Sequence, residues 1–330
     1  MRRFEYARPA DLGSAIATLA SANGAAKILA GGTTLFDLMK LDVETPAKIV
    51  DLNNLTELSS MNVSDGEFRF GAMVRMADAA DDPDLRDAYP LLAEALWKAA
   101  SQQLRNMASL GGNLLQRTRC SYFRHGAPFA CNKRDPGSGC AAIEGINRSH
   151  AVLGGSDACV ATYPGDFAVA LVAMDAVVDL VGPAGRRTIS VAELYREPGD
   201  RPDQDATLLT DEIITHIRVP DNPVGRASTY HKVRDRESYA FAVVSVAAAV
   251  RLENGVVADA RIALGGVATV PWRVRDAEQT LIGKPLTAET ALVAGRAAFA
   301  GAVPLRHNSF KLDLGPNVVR DALLIAAERA

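Results

Sequence analysis

AAKILAGGTTLFDLMK, residues 25–40, reads as a short buried strand (25–30), a turn at Gly31 and Gly32, and a short helical stretch (35–40). Paired glycines directly after a strand permit positive φ and let the backbone approach a ligand closely, so that successive amides converge on an anion. The helix start that follows adds its positive end, and the hydroxyls of Thr33 and Thr34 suit phosphate oxygens. A pyrophosphate is the natural guest; a plain tight turn is the other use of such a pair.

Upstream, residues 11–22 read as a helix capped by Asp11, with Leu12, Ile16 and Leu19 in one apolar stripe and Asn23-Gly24 at its end. Downstream, AKIVDL (47–52) reads as another buried strand, completing a small parallel α/β unit over residues 1–58. The chain then changes character. EFRFGAMV (67–74) alternates like a half-buried strand, LLAEALWKAASQQL (91–104) repeats at helical spacing, and a second glycine run follows at SLGGN (109–113). DFAVALVAMDA (166–176) reads as a helix whose first residue, Asp166, suits either capping or a contact with a nucleotide. A hairpin at Gly182-Pro-Ala-Gly185 and the strand EIITHIRVP (212–220) close this section, which spans 59–220. Asp221 to Gly225 reads as a linker into a last domain, 226–330. There STYHKV (228–233), FAVVSVAAAVRL (241–252) and VVADARIALGGV (256–267) read as three strands, the last two turning at Asn254-Gly255, followed by three helices. Two glycine runs in the first two sections point to one extended dinucleotide lying between two subdomains. Neither matches G-x-G-x-x-G, so a Rossmann NAD site is not expected.

All four cysteines, Cys120, Cys131, Cys140 and Cys159, fall within residues 117–159. The segment has no C-x-x-C pair, which argues against a zinc finger or ribbon. Its six cations (Arg117, Arg119, Arg124, Lys133, Arg134, Arg148) against three carboxylates leave it net positive. Four thiolates around a four-iron cluster carry negative charge that such cations and backbone donors would stabilise. Gly137 and Gly139 would let the chain wrap a compact inorganic core; four buried free thiols are the bland reading. His125 and His150 stay outside the ligand set.

A formal net charge of -3 argues against nucleic acid as the main partner. No apolar run is long enough to span a bilayer, since AFAVVSVAAAV (240–250) stops at Arg251. Glu5, Arg8 and Asp11 interrupt the N-terminal stretch where a signal peptide would be apolar, so a chain without its own export signal is expected.

LAGGTTLFDLMK (29–40), ASLGGNL (108–114), YPGDFAVALVAMDA (163–176), YHKVRDRESYAFAVVSVAAAV (230–250) and LGGVATVPWRVRDAEQTLIGK (264–284) resemble the FAD-binding medium subunits of the molybdenum hydroxylases, the xanthine dehydrogenase, carbon monoxide dehydrogenase and aldehyde oxidoreductase group. The likeness runs essentially end to end. Residues 117–159 resemble the [4Fe-4S]-binding insertion of periplasmic aldehyde oxidoreductase FAD subunits, which most members lack. The resemblance implies an α+β protein: a two-subdomain FAD-binding fold, of the type shared with vanillyl-alcohol oxidase, plus a C-terminal three-stranded antiparallel sheet with three helices. It implies that Leu29, Ala30, Gly31, Gly32, Thr33, Thr34 and Leu35 hold the FAD pyrophosphate. Ser109, Gly112 and Asn113 would contact phosphate and ribitol, Asp166 the adenosine side, and Ile214 and Lys232 the FAD. Cys120, Cys131, Cys140 and Cys159 would ligate a [4Fe-4S] cluster. At position 240 the family often has Asp and this chain has Ala240, so no flavin contact is assigned there.

The implied role is electron transfer without a general base or nucleophile in this chain. Partners would be a large molybdenum-cofactor subunit, where an aldehyde is oxidised, and a small [2Fe-2S] subunit, in a heterotrimer. Export to the periplasm would then depend on a partner with a twin-arginine signal. The same subunit of a xanthine or N-heterocycle dehydrogenase, a self-sufficient flavoprotein oxidase, and a zinc-stabilised nucleotide-binding module are the other readings.

Overall fold

A computed structural model describes residues 1–64, 66–126 and 128–330. Its N-terminal layer is a parallel sheet in the order β1-β3-β2, formed by β1 (Glu5–Ala7), β2 (Ala26–Leu29) and β3 (Lys48–Asp51). The helix Leu12–Ser21 joins the first two, and Asp11 caps it by accepting from the Ser14 amide at 2.7 Å. Such a cap contributes about 1 kcal/mol. Asn23 and Gly24, both at positive φ, end the helix as expected, and its Ala15 and Leu19 share a core with Val50 and Leu52. β1 is too short and too exposed to leave a pattern in the sequence.

The central sheet is antiparallel throughout, in the order β4-β5-β8-β6-β7. It comprises β4 (Met61–Ser64), β5 (Glu67–Gly71), β6 (Val177–Gly182), β7 (Gly185–Ser190) and β8 (Ile213–Val219). Against it packs the helix Phe167–Ala173, buried on every side, with the Phe167 ring edge-on to Phe70 at 6.3 Å. A helix apolar all round belongs between layers. It touches the central sheet on one side and the C-terminal sheet on the other. The helix expected over 91–104 is broken: Pro90–Trp97 and Gln102–Arg105 are separate, because Ala100 takes φ +46° and Ser101 caps the second piece.

β9 (Ser228–Val233), β10 (Val244–Glu253), β11 (Val256–Gly265) and β12 (Trp272–Arg273) form the C-terminal antiparallel sheet, in the order β12-β11-β10-β9. It has four strands, not three. β12 pairs only Trp272 with Leu264 and Arg273 with Ala263, too short a contact to show a period. Asn254 and Gly255, at φ 53° and 79°, make the tight turn that this dipeptide favours. Three helices follow as expected, Arg275–Gln279, Ala288–Ala298 and Lys311–Ala327. The stretch 221–225 is tied down: the Tyr89 hydroxyl donates to Pro220 O at 2.9 Å and accepts from the Asn222 amide at 3.0 Å. Among the described residues, no helix is long and apolar enough to cross a membrane.

Candidate functional site

The two glycine runs, about 80 residues apart in sequence, meet in space. A Cβ on Gly31 would lie 2.1 Å from Met107 O and 2.9 Å from Ala108 Cα, so the first run rests directly on the backbone leading into the second. Gly112 faces Ala30 across the same seam. The second run is not a loop. Ser109 caps a short helix, Leu110–Leu114, by accepting from the Gly112 amide at 3.2 Å. The β-like end of the run is held by Met76 N donating to Ala108 O and Leu110 N donating to Val74 O, each at 2.9 Å.

Two residues that the sequence reading missed clamp the seam. Asn53 Nδ2 donates to Ala30 O at 3.0 Å, and its Oδ1 accepts from Arg75 Nη2 at 3.1 Å. Arg75 Nη1 in turn donates to Met107 O at 2.5 Å. A lone arginine and an asparagine in unremarkable surroundings carry no signal of this role. Among the described residues nothing accepts from the amides of Gly31, Gly32, Thr33 and Thr34, and Gly32 sits at φ +72°. Asn113 Oδ1 is buried without a partner. Free donors and a left-handed glycine are what phosphate oxygens would use, and the orphaned Asn113 acceptor suits a hydroxyl of the same ligand.

Asp166 begins the buried Phe167–Ala173 helix yet makes no cap bond. Its Oδ1 accepts from the Tyr230 hydroxyl at 2.8 Å and its Oδ2 from Lys232 Nζ at 2.7 Å. Both side chains are enclosed, Asp166 at 6% and Lys232 at 1% exposure. Burial pushes the Asp166 carboxyl up, against the pull of Lys232 and Tyr230. The structure thus brings Asp166 and Lys232 together as an internal ion pair. Ile214 is a core residue of β8, buried with Ile217 and Leu180.

All four cysteines line one cavity, walled also by Tyr122, Phe123, Lys133 and Ala161. Cys131 and Cys140 face each other across a bridge that Asn132 shapes, its Oδ1 accepting from the Gly137 amide at 3.0 Å and the Gly139 amide at 2.8 Å. Backbone amides point at sulfur: those of Phe123 and Tyr122 at Cys120, of Ala142, Val160 and Ile143 at Cys140, and of Ala161 at Cys159. Burial pushes the Cys120 thiol up to about 11. The hydrogen bond with Cys159, helped by the amides, brings Cys140 down to about 6, and the same contact drives Cys159 upward. His150, set aside in the sequence reading, places Nε2 3.2 Å from Cys120 Sγ. Among the described residues no three His, Cys, Asp or Glu groups converge on a point that would hold a single metal ion. The segment's positive charge is largely answered from outside it: Arg117 pairs with Glu44 and Asp205, Arg124 with Asp37, and Lys133 with Asp205. A count of charges along the segment cannot see partners 72 or more residues away.

The description "FAD binding domain in molybdopterin dehydrogenase" matches residues 2–222, and "CO dehydrogenase flavoprotein C-terminal domain" matches residues 228–326. The chain belongs to the molybdopterin dehydrogenase FAD-binding family. It is 44% identical to the aldehyde oxidoreductase FAD-binding subunit PaoB of Escherichia coli strain K12, with 100% of each chain covered. It is 29% identical to the carbon monoxide dehydrogenase medium chain of Hydrogenophaga pseudoflava over 99% of this chain and 98% of that one. Solved structures agree. Carbon monoxide dehydrogenase from Hydrogenophaga pseudoflava matches with TM-score 0.78 and 28% identity, covering 100% of this chain and 99% of that one. Quinoline 2-oxidoreductase from Pseudomonas putida 86 matches with TM-score 0.77 and 25% identity, covering 99% and 98%. As a member of this oxidoreductase family the chain carries an FAD-binding domain.

Proposed function

We propose that this chain is the FAD- and [4Fe-4S]-bearing electron-transfer subunit of a molybdenum-dependent aldehyde oxidoreductase. It would take electrons from a small [2Fe-2S] subunit and pass them to an external acceptor, while the aldehyde reacts at a molybdenum cofactor on a large subunit. The full-length 44% identity to an aldehyde oxidoreductase FAD-binding subunit carries the reading.

In this reading the free amides of Gly31 to Thr34 and the hydroxyls of Thr33 and Thr34 hold the FAD pyrophosphate, between Leu29 and Leu35. Ser109, Gly112 and the unpartnered Oδ1 of Asn113 complete the seam from the other side. Asp166 and Lys232 neutralise one another and fix the Phe167–Ala173 helix against β9, while Ile214 supplies an apolar wall from β8. When bound, the flavin exchanges single electrons with iron–sulfur centres and pairs of electrons with an acceptor. The chain contributes position, shielding and hydrogen bonds. Four thiols lining one cavity, three of them receiving backbone amides, suit an iron–sulfur core, whose potential depends on such donors to sulfur.

Anaerobic purification with flavin, iron and labile-sulfide analysis and an EPR spectrum tests the proposal. Expected are about one FAD and about four irons per chain. Zinc without labile sulfide would remove the cluster from the proposal, and a colourless protein would remove the flavin as well.

A further inference from the structure

We propose that Arg119, one residue before Cys120, completes the FAD pyrophosphate site from the cysteine-bearing segment and makes FAD retention depend on that segment. The inference rests on the FAD reading above. Arg119 Nη2 lies 3.4 Å from Thr34 Oγ1, at the edge of the run whose amides are free. Nη1 lies 3.4 Å from Asp37 Oδ2, and the Phe241 ring covers the guanidinium at 5.2 Å. Its Nε is buried without a partner.

Charge counting singles this residue out. The Asp37 oxygen that Arg119 reaches at 3.4 Å is held by Arg124 Nη2 at 2.6 Å. One carboxylate therefore serves two guanidiniums, and the close contact belongs to Arg124. Arg117, two residues earlier, is better neutralised: it lies close to two carboxylates, Glu44 at 2.6 Å and Asp205 at 2.8 Å, although Lys27 and Lys133 share them. A half-buried cation whose one carboxylate is held more closely by Arg124 is stabilised by a further anion, either the proposed cluster at Cys120 or a phosphate beside Thr34. Thr34 connects it to the place where an anion is expected. The guanidinium fork matches phosphate oxygens, and its unused donors are the ones a pyrophosphate would take.

The neighbouring segment then acts on the flavin through position. Cys120 follows Arg119 directly, and its sulfur receives the Phe123 and Tyr122 amides, so ordering of the cysteine cavity sets where Arg119 stands. Thr118 Oγ1, which accepts from the Cys120 amide at 3.2 Å and donates to Thr162 O at 3.0 Å, anchors the other side.

The test uses the full chain freed of flavin and titrated with FAD by flavin fluorescence, alongside thermal melts with and without FAD. Arg119→Gln should bind FAD roughly ten- to a hundredfold more weakly, the size expected for losing a charged hydrogen bond to phosphate. Its flavin-free form should melt no lower than the wild type, because the variant removes an under-neutralised cation, while the rise in melting temperature on adding FAD should shrink. Arg119→Lys, which keeps the charge and loses the fork, should fall between the two, and it carries the test if Arg119→Gln does not fold. An FAD affinity within about twofold of wild type in these variants would overturn the inference. So would an equal drop in melting temperature with and without FAD, which would make Arg119 merely structural. Wild-type chain that binds no FAD would sink the flavin reading itself, a different failure.

Discussion

Replacing Gly31 by Ala tests whether the two glycine runs must touch. The added Cβ would stand 2.1 Å from Met107 O, where ordinary contact begins near 3.4 Å, so the runs must part by about 1.3 Å. No flexible side chain can absorb this, because the obstacle is backbone. That backbone is itself held, by Arg75 at Met107 O and by the Met76 amide at Ala108 O. Overpacking of this kind costs about 1–3 kcal/mol, and straining the Asn53–Arg75 clamp adds about 1 kcal/mol. A loss of roughly 2–4 kcal/mol is expected by urea unfolding, with an FAD affinity at least roughly tenfold weaker as the amides of Gly31 to Thr34 move away from Asn113. Gly301→Ala is the control, since a Cβ there meets nothing and should change stability by less than about 0.5 kcal/mol. FAD-to-protein ratio after desalting and a fluorescence titration read the result. A Gly31→Ala chain that keeps stoichiometric FAD at wild-type affinity would refute the claim that this close approach builds the site.

Cys140→Ser should abolish iron and labile sulfide and weaken FAD retention by no more than Arg119→Gln does, measured by metal analysis and flavin absorbance on anaerobic protein; retained iron would exclude Cys140 as a ligand. Lys232→Met leaves Asp166 buried without its partner and should cost about 3–5 kcal/mol in urea unfolding, whereas adding Asp166→Asn in the same chain should recover much of the loss. Gly295→Ala would drive a Cβ to 2.4 Å from Pro316 O, where the helices Ala288–Ala298 and Lys311–Ala327 cross, and should lower stability by about 2–3 kcal/mol with FAD affinity unchanged. Glu212 is held below its ordinary 4.5 by the Arg187 hydrogen bonds, so its contribution is complete above that pH and disappears as pH falls through the depressed value. The stability difference between wild type and Glu212→Gln should therefore be constant near neutrality and vanish in acid; a difference that grew in acid would contradict the sign.

Short-range order was written into the chain where one residue acts on its neighbours. Asp11 reaches the Ser14 amide three residues on, Asn254-Gly255 turns a hairpin by itself, and an all-apolar stretch from Phe167 must lie between layers wherever those layers are. The glycine runs and the four cysteines were visible for the same reason, since backbone freedom and sulfur chemistry belong to single residues. Interruptions were less legible: Ala100 at positive φ splits an apparently continuous helix, and β12 is only two residues long. Partners across the chain left no mark at all. Asn53 and Arg75 join the runs, Asp37 is shared by Arg119 and Arg124, and Lys232 pairs with Asp166. Hydrogen bonds and ion pairs depend on distances of about 3 Å, and only folding brings groups dozens of residues apart within that range. The glycines and cysteines could be read along the chain; which residues clamp them, and which charges remained unanswered, depended on what folding placed beside them.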